Sequence, residues 1–147
     1  MDGISISYAP EDAYHGKLTV SVQSMNFSGR SSAWFNLEQV SAFADALGAV
    51  PIEIGAEPVL QGGIWREGAL DQTHVSLRFV PHNLTGTVRV ECLLAVPLLV
   101  AGAPSVLSNT LKVSLLTTYS DLQRFQMELH VVLRGEGGNA DLRAEEG

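Results

Sequence analysis

Alternation of apolar and polar positions runs through the chain in short bursts, broken twice by a helical period. From Lys17 to Gln23, Leu18, Val20 and Val22 point one way and Thr19, Ser21 and Gln23 the other, the pattern of a half-buried strand. Residues 26–29 form a turn, and Arg30 to Phe35 return as the second strand of a hairpin. The period then changes. Leu37, Val40, Phe43, Ala44 and Leu47 fall at spacings of three and four, behind an Asn36 suited to cap a helix and a Gln39 placed to reach back to it. Gly48 is positioned to supply a left-handed closing residue, and Pro51 stops any continuation.

Period-two patterning resumes afterwards. Ile52, Ile54, Val59, Leu60, Ile64 and Trp65 predict one or two short strands among Gly and Pro. Residues 73–80 place Val75, Leu77 and Phe79 inward and His74, Ser76 and Arg78 outward. Residues 87–95 place Val88, Val90, Cys92 and Leu94 on one side, while the other side changes from Thr87, Arg89 and Glu91 to Leu93. Residues 112–119 predict another strand, and a second helix follows with Ser120 as its expected cap and Leu122, Phe125, Leu129, Val132 and Leu133 on its apolar face; Gly135 ends it.

These elements predict an α+β fold in the order β-β-α-β(3–5)-α. A mostly antiparallel sheet of about five to seven strands carries two amphipathic helices. Residues 1–16 read as an N-terminal arm or edge strand, 17–134 as a single domain and 135–147 as a disordered acidic tail. The two strand-then-helix units hint at internal pseudo-symmetry. Trp34, Phe35 and Trp65 are one candidate for function. Trp34 and Phe35, adjacent on a strand, face opposite ways; core packing is expected for both, and an exposed Trp would instead mark a contact hot spot.

Composition narrows the function. The 147 residues suit one domain, and 46% of them are apolar. Only 17% are charged, so the surface should be rich in Ser, Thr, Gln and Gly, or partly covered by a partner. A net charge of −7 and the lack of any Lys/Arg run argue against nucleic-acid binding. The N-terminus lacks a secretory pattern, so the expected location is cytoplasmic. The apolar run from Cys92 to Ala103 is too short to span a membrane. It reads as a core strand and its turn, or as an oligomer surface built from Leu93, Val96, Leu98, Leu99 and Val100. The lone Cys92 reads as a small buried hydrophobe.

No catalytic motif stands out. His15, His74, His82 and His130 are scattered, with none at metal-ligand spacing, so no metal and no cofactor are expected. Nucleophile elbows, phosphate loops and dinucleotide fingerprints are lacking, and no catalytic residue is assigned. The best polar constellation is His74, Ser76 and Arg78 on one strand with Arg89 and Glu91 on the next. It is either a solvated sheet face carrying an Arg78–Glu91 ion pair or a surface for a ligand or partner.

Residues 32–47, Ser-Ala-Trp-Phe-Asn-Leu-Glu-Gln-Val-Ser-Ala-Phe-Ala-Asp-Ala-Leu, resemble a group of small bacterial proteins of unknown function. In that group a strand hairpin leads into a Leu-x-x-Phe-x-x-x-Leu helix, a sheet follows, and a helix similar to Asp121-Leu-Gln-Arg-Phe-Gln-Met-Glu-Leu closes the domain. The group includes WapI-type immunity proteins of bacterial toxin systems. The likeness covers order and spacing along most of residues 17–134, leaving out the stretch between Ile52 and Gln72 and the apolar run after Glu91, and carries no functional residue across. It implies a cytoplasmic, non-enzymatic protein that binds another protein, such as a basic toxin. The alternatives are a small enzyme or ligand-binding protein using the polar sheet face, and a homo-oligomeric structural module such as a homodimer.

Overall fold

The computed structural model describes residues 2–97 and 108–145. Among the described residues, eight strands and two helices follow one another as β1 (Gly3–Pro10), β2 (His15–Ser24), β3 (Phe27–Asn36), α1 (Leu37–Ala46), β4 (Val59–Arg66), β5 (Ala69–Pro81), β6 (Thr87–Pro97), β7 (Ser108–Thr118), α2 (Tyr119–Val132) and β8 (Ala140–Arg143). The strands divide into two four-stranded antiparallel sheets, ordered β3-β2-β1-β8 and β4-β5-β6-β7. The α+β class and the antiparallel pairing are as the patterning predicts, but the single sheet of five to seven strands is not. Alternation reports which face of a strand is buried, not which neighbour it bonds.

Both ends of the described chain depart from expectation. Residues 3–10 are an inner strand, flanked by β2 and β8, rather than a loose arm or an edge strand. The expected tail contains β8, which forms one edge of the first sheet and buries Ala140 and Leu142 in the core. The segment continues as a clasp: Ala144 N–H donates to the Asp2 carbonyl at 3.1 Å and Glu145 N–H to the Leu116 carbonyl at 2.7 Å. The buried Thr117 hydroxyl donates to the Arg143 carbonyl at 2.9 Å. Residues 143–145 therefore bond to both sheets.

Read cyclically, each half has one plan. Four antiparallel strands in meander order lead into a helix, β8-β1-β2-β3-α1 in one half and β4-β5-β6-β7-α2 in the other. The strand-then-helix pattern noted in the sequence is the second part of each unit.

The helices form where their apolar faces predict. Asn36 Oδ1 accepts from Glu38 N–H at 3.1 Å and starts α1. The cap of α2 is Thr118, whose hydroxyl accepts from Asp121 N–H at 3.1 Å, rather than Ser120. At the end of α1, Leu47 is right-handed and Gly48 is not left-handed, so the expected glycine closure does not form. Gly135, at φ 81°, does close the turn after α2. Val40, Phe43, Leu122, Phe125 and Leu129 are buried, and Leu37 packs at the core margin.

One core draws on both sheets and both helices. β3 touches every strand of the second sheet, which requires it to run across them. Two small residues permit that crossing. The Phe35 ring lies directly on Gly62 of β4, in the space a side chain would take, and Leu111 of β7 lies against Gly29. Phe43 of α1 meets Phe79 of β5 with ring centroids 5.8 Å apart, a tilted pair of the kind aromatic quadrupoles favour. The helices touch each other, and His130 Nε2 lies 3.0 Å from Asp45 Oδ1. Trp34 corrects the expectation of core packing: it is 57% exposed and faces solvent, as Trp65 does at 51%, while Phe35 takes the interior.

Candidate functional site

The β5–β6 ladder brings four of the five predicted patch residues, Ser76, Arg78, Arg89 and Glu91, onto one face, and His74 lies just before it, unpaired at the register shift between β4 and β5. Arg78 stands opposite Glu91, Ser76 opposite Leu93 and Val80 opposite Arg89. Their parity explains this: Val75, Leu77, Phe79, Val88, Val90 and Cys92 occupy the other face and are buried. The ladder extends to β4 and β7. Val59, Arg78, Glu91 and Ser114 form one row across the sheet, and Gln61, Ser76, Leu93 and Lys112 form the next.

Charges in this face are knitted together. Arg78 Nη1 bonds Glu91 Oε1 at 3.0 Å, and its Nη2 bonds Glu57 Oε1 at 3.2 Å. Arg89 Nη2 reaches the same Glu91 oxygen at 3.5 Å. Glu57 was not legible as part of the patch, because it comes from the loop before β4 and its partner lies 21 residues away. Its carboxylate also accepts from Gly55 N–H at 2.7 Å. Its own backbone N–H, then Gly55 N–H and the Arg78 guanidinium, hold this carboxyl below the usual range.

The rest of the face is quiet chemically. Gln61 Nε2 donates to Ser76 Oγ at 3.3 Å, and His74 Nε2 is paired with Gln72 Oε1 at 3.3 Å. Among the described residues no hydrogen bond joins Ser76 to a base, the arrangement an activated hydroxyl needs. The Arg78, Arg89 and Glu91 side chains are 44%, 40% and 36% exposed, so the patch is an open surface. Ion pairs of that exposure are worth at most about 1 kcal/mol each.

Of the predicted oligomer surface, Leu93 is half-buried on this same face and Val96 is exposed near the end of β6. Leu98, Leu99 and Val100 lie outside the described residues. Leu116 joins Leu93 on the outer face, opposite Arg89. Cys92 points inward, and burial pushes its thiol up to about 12. Among the described residues, no group of three or more His, Cys, Asp and Glu side chains could hold a metal ion, and no helix is long and apolar enough to cross a membrane.

Searches against protein-family models, curated proteins and solved structures found no match.

Proposed function

We propose that this chain is a non-enzymatic protein-binding domain that meets its partner through the outer face of the second sheet. The observation that carries this reading is the row Val59–Arg78–Glu91–Ser114 with apolar residues around it. Leu93 and Leu116 stand half-buried on either side of the Glu91–Ser114 pair, and Val59 ends the row at the sheet edge. Apolar anchors among fixed charges are what a specific interface uses, the anchors for affinity and the charges for orientation. Arg78 is already tied to two carboxylates, so Glu57 and Glu91 reach the surface in defined positions. With a net charge of −7, the chain favours a basic partner surface. An immunity role toward a basic toxin in the bacterial cytoplasm is the specific form the family resemblance implies.

The test is capture by the tagged full chain from the native host, compared between two variants. A genuine partner is retained by Lys17→Gln on the first sheet and lost with Leu93→Asp. Capture of nothing by the unaltered chain, or equal loss with both variants, rejects the reading.

A further inference from the structure

The outer face of the first sheet is a different kind of surface. Its rows run Asp141–Ser5–Ser21–Arg30 and Ser7–Thr19–Ser32, each in register across the strands. Beyond them Lys17 stands opposite the exposed Trp34, and Gln23 opposite Ser28. The inward positions between these rows, Ile4, Ile6, Leu18, Val20 and Val22, are buried in the core. A shallow depression of about 470 Å³ lies over this face, walled by Arg30, Gln23 and Asp141 and floored by Ser5, Ser21 and Ser28. That volume falls in the range of small-molecule sites.

Its electrostatics run against the rest of the chain. Acidic residues outnumber Lys and Arg by 16 to 9, yet Lys17, Arg30 and Arg143 on this face have no carboxylate within ion-pair distance among the described residues. Arg30 Nε donates to Ser21 Oγ at 3.2 Å, which lays the side chain along the sheet toward the depression. A guanidinium has five N–H donors in a planar fork matched to carboxylate and phosphate, and Ser21 takes only one of Arg30's. Asp141 stands three strand spacings away, about 14 Å across the floor. Serine hydroxyls between them donate and accept equally.

From this juxtaposition of an unpaired guanidinium, a hydroxyl floor and an opposed carboxylate, we infer that the outer face of the first sheet binds a polyhydroxylated anion of the sugar-phosphate or sugar-acid class. The anionic group meets Arg30, the ligand hydroxyls lie over Ser5 and Ser21, and the far hydroxyls donate toward Asp141. The site is independent of the protein-binding face, which belongs to the other sheet.

The experiment is amide chemical-shift titration of the full chain with glucose 6-phosphate, glucuronate, glucose and inorganic phosphate. Saturable shifts centred on Ser5, Ser21 and Arg30 are expected with at least one of the two sugar anions, and the stronger of these identifies the anionic group. Glucose and inorganic phosphate should each bind at least about tenfold more weakly. Arg30→Gln should weaken the sugar anion by at least about tenfold. Ser5→Val keeps a good strand former and fills the floor, so it should abolish binding, and it decides the matter if Arg30→Gln fails to fold. Lys112→Gln, on the other sheet, should change nothing. The inference is overturned if neither sugar anion saturates, if inorganic phosphate binds as tightly, if binding survives Arg30→Gln or Ser5→Val in a folded variant, or if Lys112→Gln weakens it equally.

Discussion

The Ser31 hydroxyl donates to the Ala95 carbonyl at 2.7 Å, tying the edge strand of one sheet to the third strand of the other. Ser31 is buried, so neither group has water as a ready substitute. Ser31→Ala should lower stability by about 1 kcal/mol, read as a shift of the urea midpoint with an unchanged slope. An unshifted midpoint would mean that the bond adds nothing to the joining of the sheets.

Phe35 and Gly62 are a second joint. A methyl group at position 62 would enter the Phe35 ring. Gly62→Ala should therefore cost about 1–3 kcal/mol through overpacking. Phe35→Leu introduced beside it should recover part of that loss, and a double-mutant cycle measures the coupling. Additive effects would place the strain elsewhere.

Burial of Cys92 predicts an inert thiol. With its ionisation pushed up to about 12, almost no thiolate exists at neutral pH. The native protein should not react with a thiol reagent, and the denatured chain should react fully. Rapid labelling of the native chain would contradict its place in the core.

The β4–β5 turn contains a replaceable cost. Arg66 pairs with Ala69 across two residues, of which Glu67 has φ 54° and Gly68 φ 78°. This is the left-handed region, where Asn is better tolerated than Glu. Glu67→Asn should stabilise by about 0.5–1 kcal/mol and raise the melting temperature. No change, or a fall, would show that Glu67 makes a compensating contact.

Glu57 sets a pH dependence of defined sign. Its carboxyl is held below the ordinary 4.5 in the folded chain, so the stability it adds is fully present above that value. It is lost as pH falls through the lower, folded value. Glu57→Gln should lower the melting temperature at neutral pH, and the gap from the unaltered chain should close in acid. A gap independent of pH would mean that the carboxylate charge is not what the loop uses.

The inward faces of β2, β5, β6 and β7 were legible in the sequence because Leu18, Val20, Val22, Val75, Leu77, Val90 and Val113 alternate against a single core. The helix faces were legible for the same reason at a different period. The split into two sheets was not, since it depends on β3 crossing the second sheet rather than bonding to β4, and that crossing rests on Gly29 and Gly62. β8 escaped notice because Ala140–Arg143 offers only two inward residues, set in a Gly-rich charged stretch. The Arg78–Glu91 pair followed from strand parity, whereas Glu57 enters through a loop that periodicity does not describe. Trp34 and Phe35 alternate on β3, so only one of them can enter the core, and the space left by Gly62 is filled by Phe35.

The pairing of residues 140–143 with residues 3–6 has a consequence for biosynthesis. A ribosome releases β1 long before β8 exists, so the nascent chain carries an unfinished ladder edge, the kind of feature that recruits stray strands. The second sheet has all four of its strands consecutive and can zip up as it emerges. Synthesis therefore runs against assembly: the half of the molecule made first is the half completed last.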